Sequence, residues 1–242
     1  MTIGLVGWGV ETQSVYRYFG DTHSYVICSE YFRDDFPAES STVKINTLPG
    51  RHIKGDVGKV ADLSYLAGAE HCDVIVIQPT ARKNMTLFYA NKPEVLAKIT
   101  TAQHIFFEKS PTKHIIGITG TKGKSTTVSL IYEMLSAAGK HVLMGGNIGI
   151  NPLEFIHELT PESWVVLELS SYQLDQLPYS PQIAVHLMMT EEHIDWHGSM
   201  EAYVEAKSYL VRSQKHDDIT VYDDSVSNAS PQSTAMPSPY TL

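Results

Sequence analysis

The run Ile115-Ile116-Gly117-Ile118-Thr119-Gly120-Thr121-Lys122-Gly123-Lys124-Ser125-Thr126-Thr127 leaves this chain little freedom in what it can fold into. It reads as a short apolar strand, a glycine-rich turn and the first turn of a helix, the setting a phosphate-binding loop needs. Gly120 and Gly123 let the backbone take positive φ and approach an anion closely. The N–H groups of Gly120, Thr121, Lys122, Gly123, Lys124, Ser125 and Thr126 can then turn toward phosphate oxygens at a helix start. Lys124 has the reach for β- and γ-phosphates, and the Ser125 hydroxyl is a candidate Mg2+ ligand. The commoner pattern G-x-x-x-x-G-K-[ST] has glycine where this chain has Ile118, so the loop is a shorter variant. The plain alternative is a strand–turn–helix with incidental lysines.

The segments that follow keep to the same strand–turn–helix rhythm. The helix after the loop places Val128, Ile131, Leu135 and Ala138 on one face and stops at Gly139. Val142-Leu143-Met144 is the next strand, followed by Gly145-Gly146-Asn147-Ile148-Gly149. Asn147, held between glycines, can offer its amide to a phosphate or a base; on its own it reads equally as a turn residue. Trp164-Val165-Val166-Leu167-Glu168-Leu169-Ser170-Ser171-Tyr172-Gln173-Leu174 is a buried parallel strand with a carboxylate near its C-terminal end. Ligands of open α/β sheets gather at that edge, and an acid inside an apolar run is costly unless paired or metal-bound. Glu168 is therefore a candidate Mg2+ ligand rather than an ordinary surface acid.

Ile183 to Met189 is one more buried strand, with His186 inside it read as a packing residue. After it, Thr190-Glu191-Glu192-His193-Ile194-Asp195-Trp196-His197-Gly198-Ser199 brings three potential ligands into one loop. The spacing of His193, Asp195 and His197 does not suit a structural zinc site. Ser199 reads as the N-cap of a helix to about Arg212. Lys207 lies on that helix, where an unmodified lysine ordinarily runs its stem along the surface and keeps its charge in water. Ile219-Thr220-Val221-Tyr222 closes the series as a strand.

Gly120-Thr121-Lys122-Gly123-Lys124-Ser125, Gly145-Gly146-Asn147-Ile148-Gly149, Glu168-Leu169-Ser170-Ser171-Tyr172-Gln173-Leu174 and Thr190-x-x-His193-x-Asp195-x-His197-Gly198 together resemble the Mur ligase family, and its D-glutamate-adding branch in particular. The resemblance implies ATP-dependent amide formation in peptidoglycan assembly: a substrate carboxylate becomes an acyl phosphate, which an amine then attacks. It implies UDP-N-acetylmuramoyl-L-alanine and D-glutamate as substrates, with ATP and Mg2+ as cofactors. It makes Lys124, His193 and Lys207 catalytic candidates. Ser125, Glu168, His193 and a carbamylated Lys207 become metal ligands, and Asp195 a site residue. Asn147 gains a part in binding both ATP and the sugar nucleotide, and Ser170 in binding the latter. Two other readings stay open: another Mur or folylpolyglutamate-type ligase, and a nucleotide-binding remnant without catalysis.

The N-terminal part opens with the strand Ile3-Gly4-Leu5-Val6, the turn Gly7-Trp8-Gly9 and a helix through Ser14 to Phe19, then the strand Tyr25 to Cys28. This is a Rossmann-like beginning whose third glycine is replaced by Thr12. A dinucleotide site and a tight turn with no ligand are both compatible with it. The resemblance makes the turn a UDP-sugar site, with Gly9, Val10, Glu11, Thr12, Ser29 and Glu30 as its candidates. Asp73 to Ile77 is a buried strand ended by Gln78-Pro79, to which no role is given. Ile105-Phe106-Phe107 reads as a short strand, and Glu108 to Lys113 as a polar, proline-broken linker.

These elements predict an α/β chain: a Rossmann-like N-terminal domain over residues 1–113, then part of a P-loop ATPase-like central domain over 114–242. After Tyr222 the chain turns Ser- and Pro-rich, a composition that reads as a disordered end. The family's C-terminal, amine-binding domain has no counterpart, so the expectation is a fragment inactive by itself. The net charge of −9 argues against a general nucleic-acid or anionic-membrane binder. Cys28 and Cys72 are too few for a disulfide scaffold, which fits a reducing cytoplasm. No run is long and apolar enough to span a bilayer, and a monomer is expected.

Overall fold

The computed structural model describes residues 1–48, 62–222 and 236–237. The chain divides into two compact units, Met1–Ala102 and Gln103–Leu242.

The first unit begins with β1 (Thr2–Val6), α1 (Val10–Phe19), β2 (Ser24–Ser29) and β3 (Val43–Thr47). It continues through β4 (Val74–Ile77), α2 (Arg82–Phe88), α3 (Pro93–Leu96) and β5 (Ile99–Thr100). The strands pair in the order β3-β2-β1-β4-β5, all in parallel. β1 and β4 are near-continuous apolar runs because a parallel sheet is covered on both faces. Ile3, Leu5, Val6, Ile75, Val76 and Ile77 are fully buried, each contributing about 1.5–3 kcal/mol of transfer free energy. The order reverses at β1, so a crevice opens at the carboxyl ends of β1 and β4.

α4 (Ala102–Lys109) corrects the strand expected at Ile105–Phe107. Ala102, Ile105 and Phe106 are buried at spacings of three and four, a helical face that a three-residue apolar run does not reveal. Glu108 and Lys109 belong to its last turn, and only residues 110–113 remain as a loop. β3 is a strand in a stretch for which no element is predicted from sequence. Its alternation Val43-Lys44-Ile45-Asn46-Thr47 was a legible signal.

The second unit runs β6 (Ile115–Thr119), α5 (Lys124–Ala137), β7 (Val142–Gly146), β8 (Trp164–Glu168) and α6 (Ser171–Leu174). Then follow β9 (Ile183–His186), α7 (Ile194–His197), α8 (Met200–Arg212), β10 (Ile219–Tyr222) and β11 (Met236–Pro237). Its parallel sheet has the order β11-β10-β9-β6-β8-β7. Val128 is buried against Ile116, Ile118 and Val166, while Ala138, placed on the same face from sequence, is exposed. The Ser199 hydroxyl accepts from the Ala202 N–H and caps α8. The disorder expected after Tyr222 lies outside the described residues, except that Met236–Pro237 pairs with β10. No helix among the described residues is long and apolar enough to cross a membrane.

Glu70 pins the first unit. Its carboxylate lies 2.6 Å from the Tyr89 hydroxyl and accepts from the Gly68 N–H at 2.7 Å and from Lys92 Nζ at 3.4 Å. Burial alone would raise this carboxyl, but the Tyr89 hydroxyl and backbone N–H donors outweigh it and hold the group down from 4.5 to about 2. The folded pKa lies below the unfolded one, so this stabilisation is complete above the unfolded value and disappears as pH falls toward the folded one. Glu70→Gln is expected to cost roughly 1–3 kcal/mol at neutral pH. Urea titrations should show wild type losing its advantage over the variant in that acidic window. Parallel pH profiles for the two proteins would show that the carboxylate is not responsible.

Candidate functional site

In the second sheet β6 has β8 on one side and β9 on the other, so strand order reverses at β6. The crevice of an open parallel sheet forms there, outside the carboxyl ends of the strands. Three segments enter it: the glycine loop after β6, the end of β8 at Glu168, and the chain after β9. The end of β7 joins them through Asn147.

The loop is bent by Gly120 at φ +147° and Gly123 at φ +87°. A side chain on Gly120 would stand 2.7 Å from Leu187 Cβ. Thr121 ties the loop to the chain that follows β9. Its N–H donates to Met188 O at 3.0 Å, and its hydroxyl donates to Thr190 O at 3.0 Å and accepts from the Thr190 N–H at 2.9 Å. Lys124 Nζ folds back onto the carbonyls of Gly120 at 3.0 Å and Thr121 at 2.9 Å. Lys122, Ser125 and Thr126 are solvent-exposed, as a loop that receives a ligand requires.

Glu168 is 2 % exposed. Ser125 Oγ donates to its Oε2 at 2.7 Å, and Asn147 Nδ2 donates to its Oε1 at 2.8 Å. The Asn147 N–H also donates to the Glu168 carbonyl at 2.8 Å. Two donors on one buried carboxylate meet the cost that its burial imposes. A hydroxyl and a carboxylate at a shared point are hard oxygen donors of the kind Mg2+ prefers. Among the described residues no group of three or more His, Cys, Asp or Glu is placed to hold a metal ion.

The remaining candidates are distributed differently. His193 takes the left-handed conformation, φ +56°, ahead of α7. Its ring is exposed, with Nε2 3.8 Å from Glu192. Asp195 is exposed as well. His197 turns inward, its Nε2 3.0 Å from Ser171 Oγ and its ring stacked on Tyr172. Ser170 caps α6 through a reciprocal pair with Gln173.

Lys207 is not the surface lysine that its place on a helix predicts. It is 2 % exposed, because α8 packs this face onto β6. Nζ donates to Thr119 Oγ1 at 3.2 Å and Gly120 O at 3.0 Å, and lies 4.8 Å from the centre of the Tyr203 ring. Burial, then the Lys124 charge, pushes its pKa down to about 7 against the pull of Glu192 and Glu168. Tyr203, which the sequence places on the face of Lys207 with Val204 and Val211 but to which it gives no role, is fully buried with its hydroxyl 3.1 Å from Thr121 Oγ1. It stands one helical turn before Lys207, a spacing that offered a signal for their contact.

In the first unit, Thr12 spends its hydroxyl on the glycine turn itself. It donates to Gly7 O at 2.6 Å and accepts from the Gly9 N–H at 3.2 Å. Glu11 is buried in the first turn of α1, and Val10 is exposed. Ser29 is buried and donates to Tyr31 O, while Glu30 is half-buried. Gln78, given no role from sequence, lies over the turn: a Cβ on Gly9 would stand 2.5 Å from its Nε2.

Residues 118–237 match the Mur ligase middle domain. The chain belongs to the Mur ligases. It is 37% identical over 174 residues to the UDP-N-acetylmuramoylalanine–D-glutamate ligase of Acetivibrio thermocellus, covering 72% of this chain and 36% of that one. The enzyme of the same name from Clostridium acetobutylicum is 34% identical over 186 residues, 76% of this chain and 39% of that one. The one from Geobacillus kaustophilus is 48% identical over 107 residues, 44% and 24%. The chain thus spans about a third of the length of these relatives. The UDP-N-acetylmuramate:L-alanyl-gamma-D-glutamyl-meso-diaminopimelate ligase of Neisseria meningitides superposes with a TM-score of 0.54 at 18% identity, covering 94% of this chain and 74% of that one. A murein peptide ligase of Psychrobacter arcticus gives 0.52 at 16% identity, covering 98% and 52%. At such identities the likeness is one of fold.

The apposition of β7 and β8 depends on Gly146. It stands at φ +106°, and a Cβ there would lie 2.1 Å from the Glu168 carbonyl oxygen. Gly139, at φ +73°, has open space where its Cβ would go. Gly139→Ala should therefore cost only the backbone term, about 1–2 kcal/mol. Gly146→Ala should cost clearly more, because Asn147 must also part from Glu168. Equal losses in urea unfolding would mean that the close approach at Gly146 has no energetic weight.

Proposed function

We propose that this chain carries the phosphate-handling site of an ATP-dependent ligase that joins D-glutamate to UDP-N-acetylmuramoyl-L-alanine. The observation behind the reading is the convergence of Ser125 and Asn147 on the buried Glu168, beside Lys124 at the N-terminus of a 14-residue helix. A helix start with a lysine, a hydroxyl and a buried acid suits phosphoryl transfer. The names of the relatives support the choice of carboxylate and amine.

In this reading the amides of Gly120 and of Lys122 to Thr126 receive the ATP phosphates, while the Thr121 N–H, expected from sequence to join them, is given to Met188 O and holds the loop in place. Lys124 leaves the two loop carbonyls it now bonds and sets its charge against the transferring γ-phosphoryl group. Ser125 and Glu168 would hold Mg2+, with His193 and a modified Lys207 completing a second position. Bound there, the metal would neutralise phosphate charge. Asn147 holds Glu168 in place and brings its side-chain amide to the ligand. Ser170 and, in the first unit, Gly9, Val10, Glu11, Thr12, Ser29 and Glu30 belong to the sugar-nucleotide contacts. A monomer working in the cytoplasm is part of the same reading.

Lys207 enters as a carbamate. It is buried with no carboxylate among its hydrogen-bond partners. A depressed pKa leaves a large share of the amine neutral near neutrality. The nitrogen lone pair attacks the carbon of CO2, one C=O pair moves to oxygen, and the nitrogen gives a proton to solvent. The product carries one negative charge where a cation stood.

Calorimetric titration tests the loop. Lys124→Ala should weaken Mg-ATP binding by about 1.5–3 kcal/mol, the worth of a charge-assisted contact. Unchanged affinity would remove the loop as the phosphate site. In a protein completed with a relative's C-terminal part, Lys207→Ala should lower ADP release stimulated by UDP-N-acetylmuramoyl-L-alanine by about 10- to 100-fold, as loss of a metal-site group does. A short carboxylate such as acetate should restore part of it. Full activity in that variant would refute the role given to Lys207.

A further inference from the structure

His186 ends β9 and faces Thr119, the last residue of β6, across the parallel register. Facing residues in such a pair share a side of the sheet, and alternate residues share it too. On this side a Cβ on Gly117 would stand 3.0 Å from Leu210 Cδ1, and Thr119 Oγ1 meets Lys207 Nζ. α8 therefore covers the face to which His186 belongs. The imidazole is 3 % exposed, and its Nε2 is buried without a hydrogen-bond partner among the described residues. An orphaned buried nitrogen costs about 1–3 kcal/mol and calls for a partner.

The partner follows from what Lys207 needs once modified. As an ammonium it has three donors, and Thr119 Oγ1 and Gly120 O accept two of them. As a carbamate it keeps one N–H and gains two oxygens, so the pocket must then supply donors. The Thr119 hydroxyl is already given to Leu169 O, and the Tyr203 hydroxyl is shared with Thr121. We propose that His186 is a positioning residue whose Nε2–H donates to the carbamate oxygen of Lys207, stabilising the adduct and orienting its other oxygen. This rests on the carbamate reading above and assigns His186 a role in it.

The test uses the whole chain with 13C-bicarbonate and 13C NMR, with thermal unfolding as a check on folding. Wild type should show a carbamate resonance that Lys207→Arg abolishes. His186→Phe should need about tenfold more bicarbonate for half-occupancy, the effect of one lost hydrogen bond. His186→Gln, which keeps an N–H donor, should stay nearer wild type. In 15N-histidine-labelled wild type, bicarbonate should move the His186 imidazole resonances, and in Lys207→Arg it should not. His186→Gln assigns the His186 resonances among the chain's 11 histidines, so the labelling experiment decides the matter even if His186→Phe fails to fold. Resonances of His186 that stay fixed while the carbamate forms, or a folded His186→Phe with the bicarbonate dependence of wild type, would overturn the role of His186 alone. Absence of a Lys207-dependent resonance in wild type would overturn the carbamate reading and this inference with it.

Discussion

The second unit is organised around one buried carboxylate. Glu168 ends the strand next to β6, and its two oxygens are held by Ser125 from the start of α5 and Asn147 from the end of β7. An ionised group at that depth is tolerable only when its oxygens are hydrogen-bonded. Both donors must therefore be in place, and each comes from a different connection at the carboxyl edge. The requirement ties the phosphate loop to the neighbouring strands and sets the position of a helix N-terminus against an acid. Gly146 makes the contact feasible, since its missing side chain lets β7 come against the Glu168 carbonyl.

The two units begin with the same local grammar, an apolar strand, a glycine turn and a helix, yet treat the turn differently. In the first, Thr12 closes the turn on itself and Gln78 lies against both glycines. In the second, the turn is fastened from one side by Thr121 and keeps Lys122, Ser125 and Thr126 in solvent. The difference is one of where hydrogen bonds go.

Beneath the loop lies a second polar layer, formed by Thr119, His186, Tyr203 and Lys207. Each is nearly or fully buried. Such a cluster is expensive in an apolar interior unless every member is satisfied. Tyr203 eases the cost by giving its ring to the Lys207 charge and its hydroxyl to Thr121. The layer thereby connects the loop to α8 and, through the edge of the Tyr203 ring, to His193 and His197.

Much of this was legible before any coordinates. The strand, loop and helix from Ile115 to Ala137, the acid closing β8 and the Ser199 cap all follow from periodicity, turn chemistry and capping, which act between residues a few positions apart. The same locality explains the misses. Ile105-Phe106-Phe107 is too short an apolar run to separate strand from helix, and its helical burial emerges only against neighbours distant in sequence. Nothing near Lys207 says that it is buried, because α8 acquires its inner face only by packing on β6. The bond from Ser125 to Glu168 joins residues 43 positions apart, and that from Lys207 to Thr119 joins residues 88 apart. Residue type and spacing announced phosphate chemistry; strand order and helix packing chose which polar groups meet, because burial and long-range pairing arise only when remote segments are brought together.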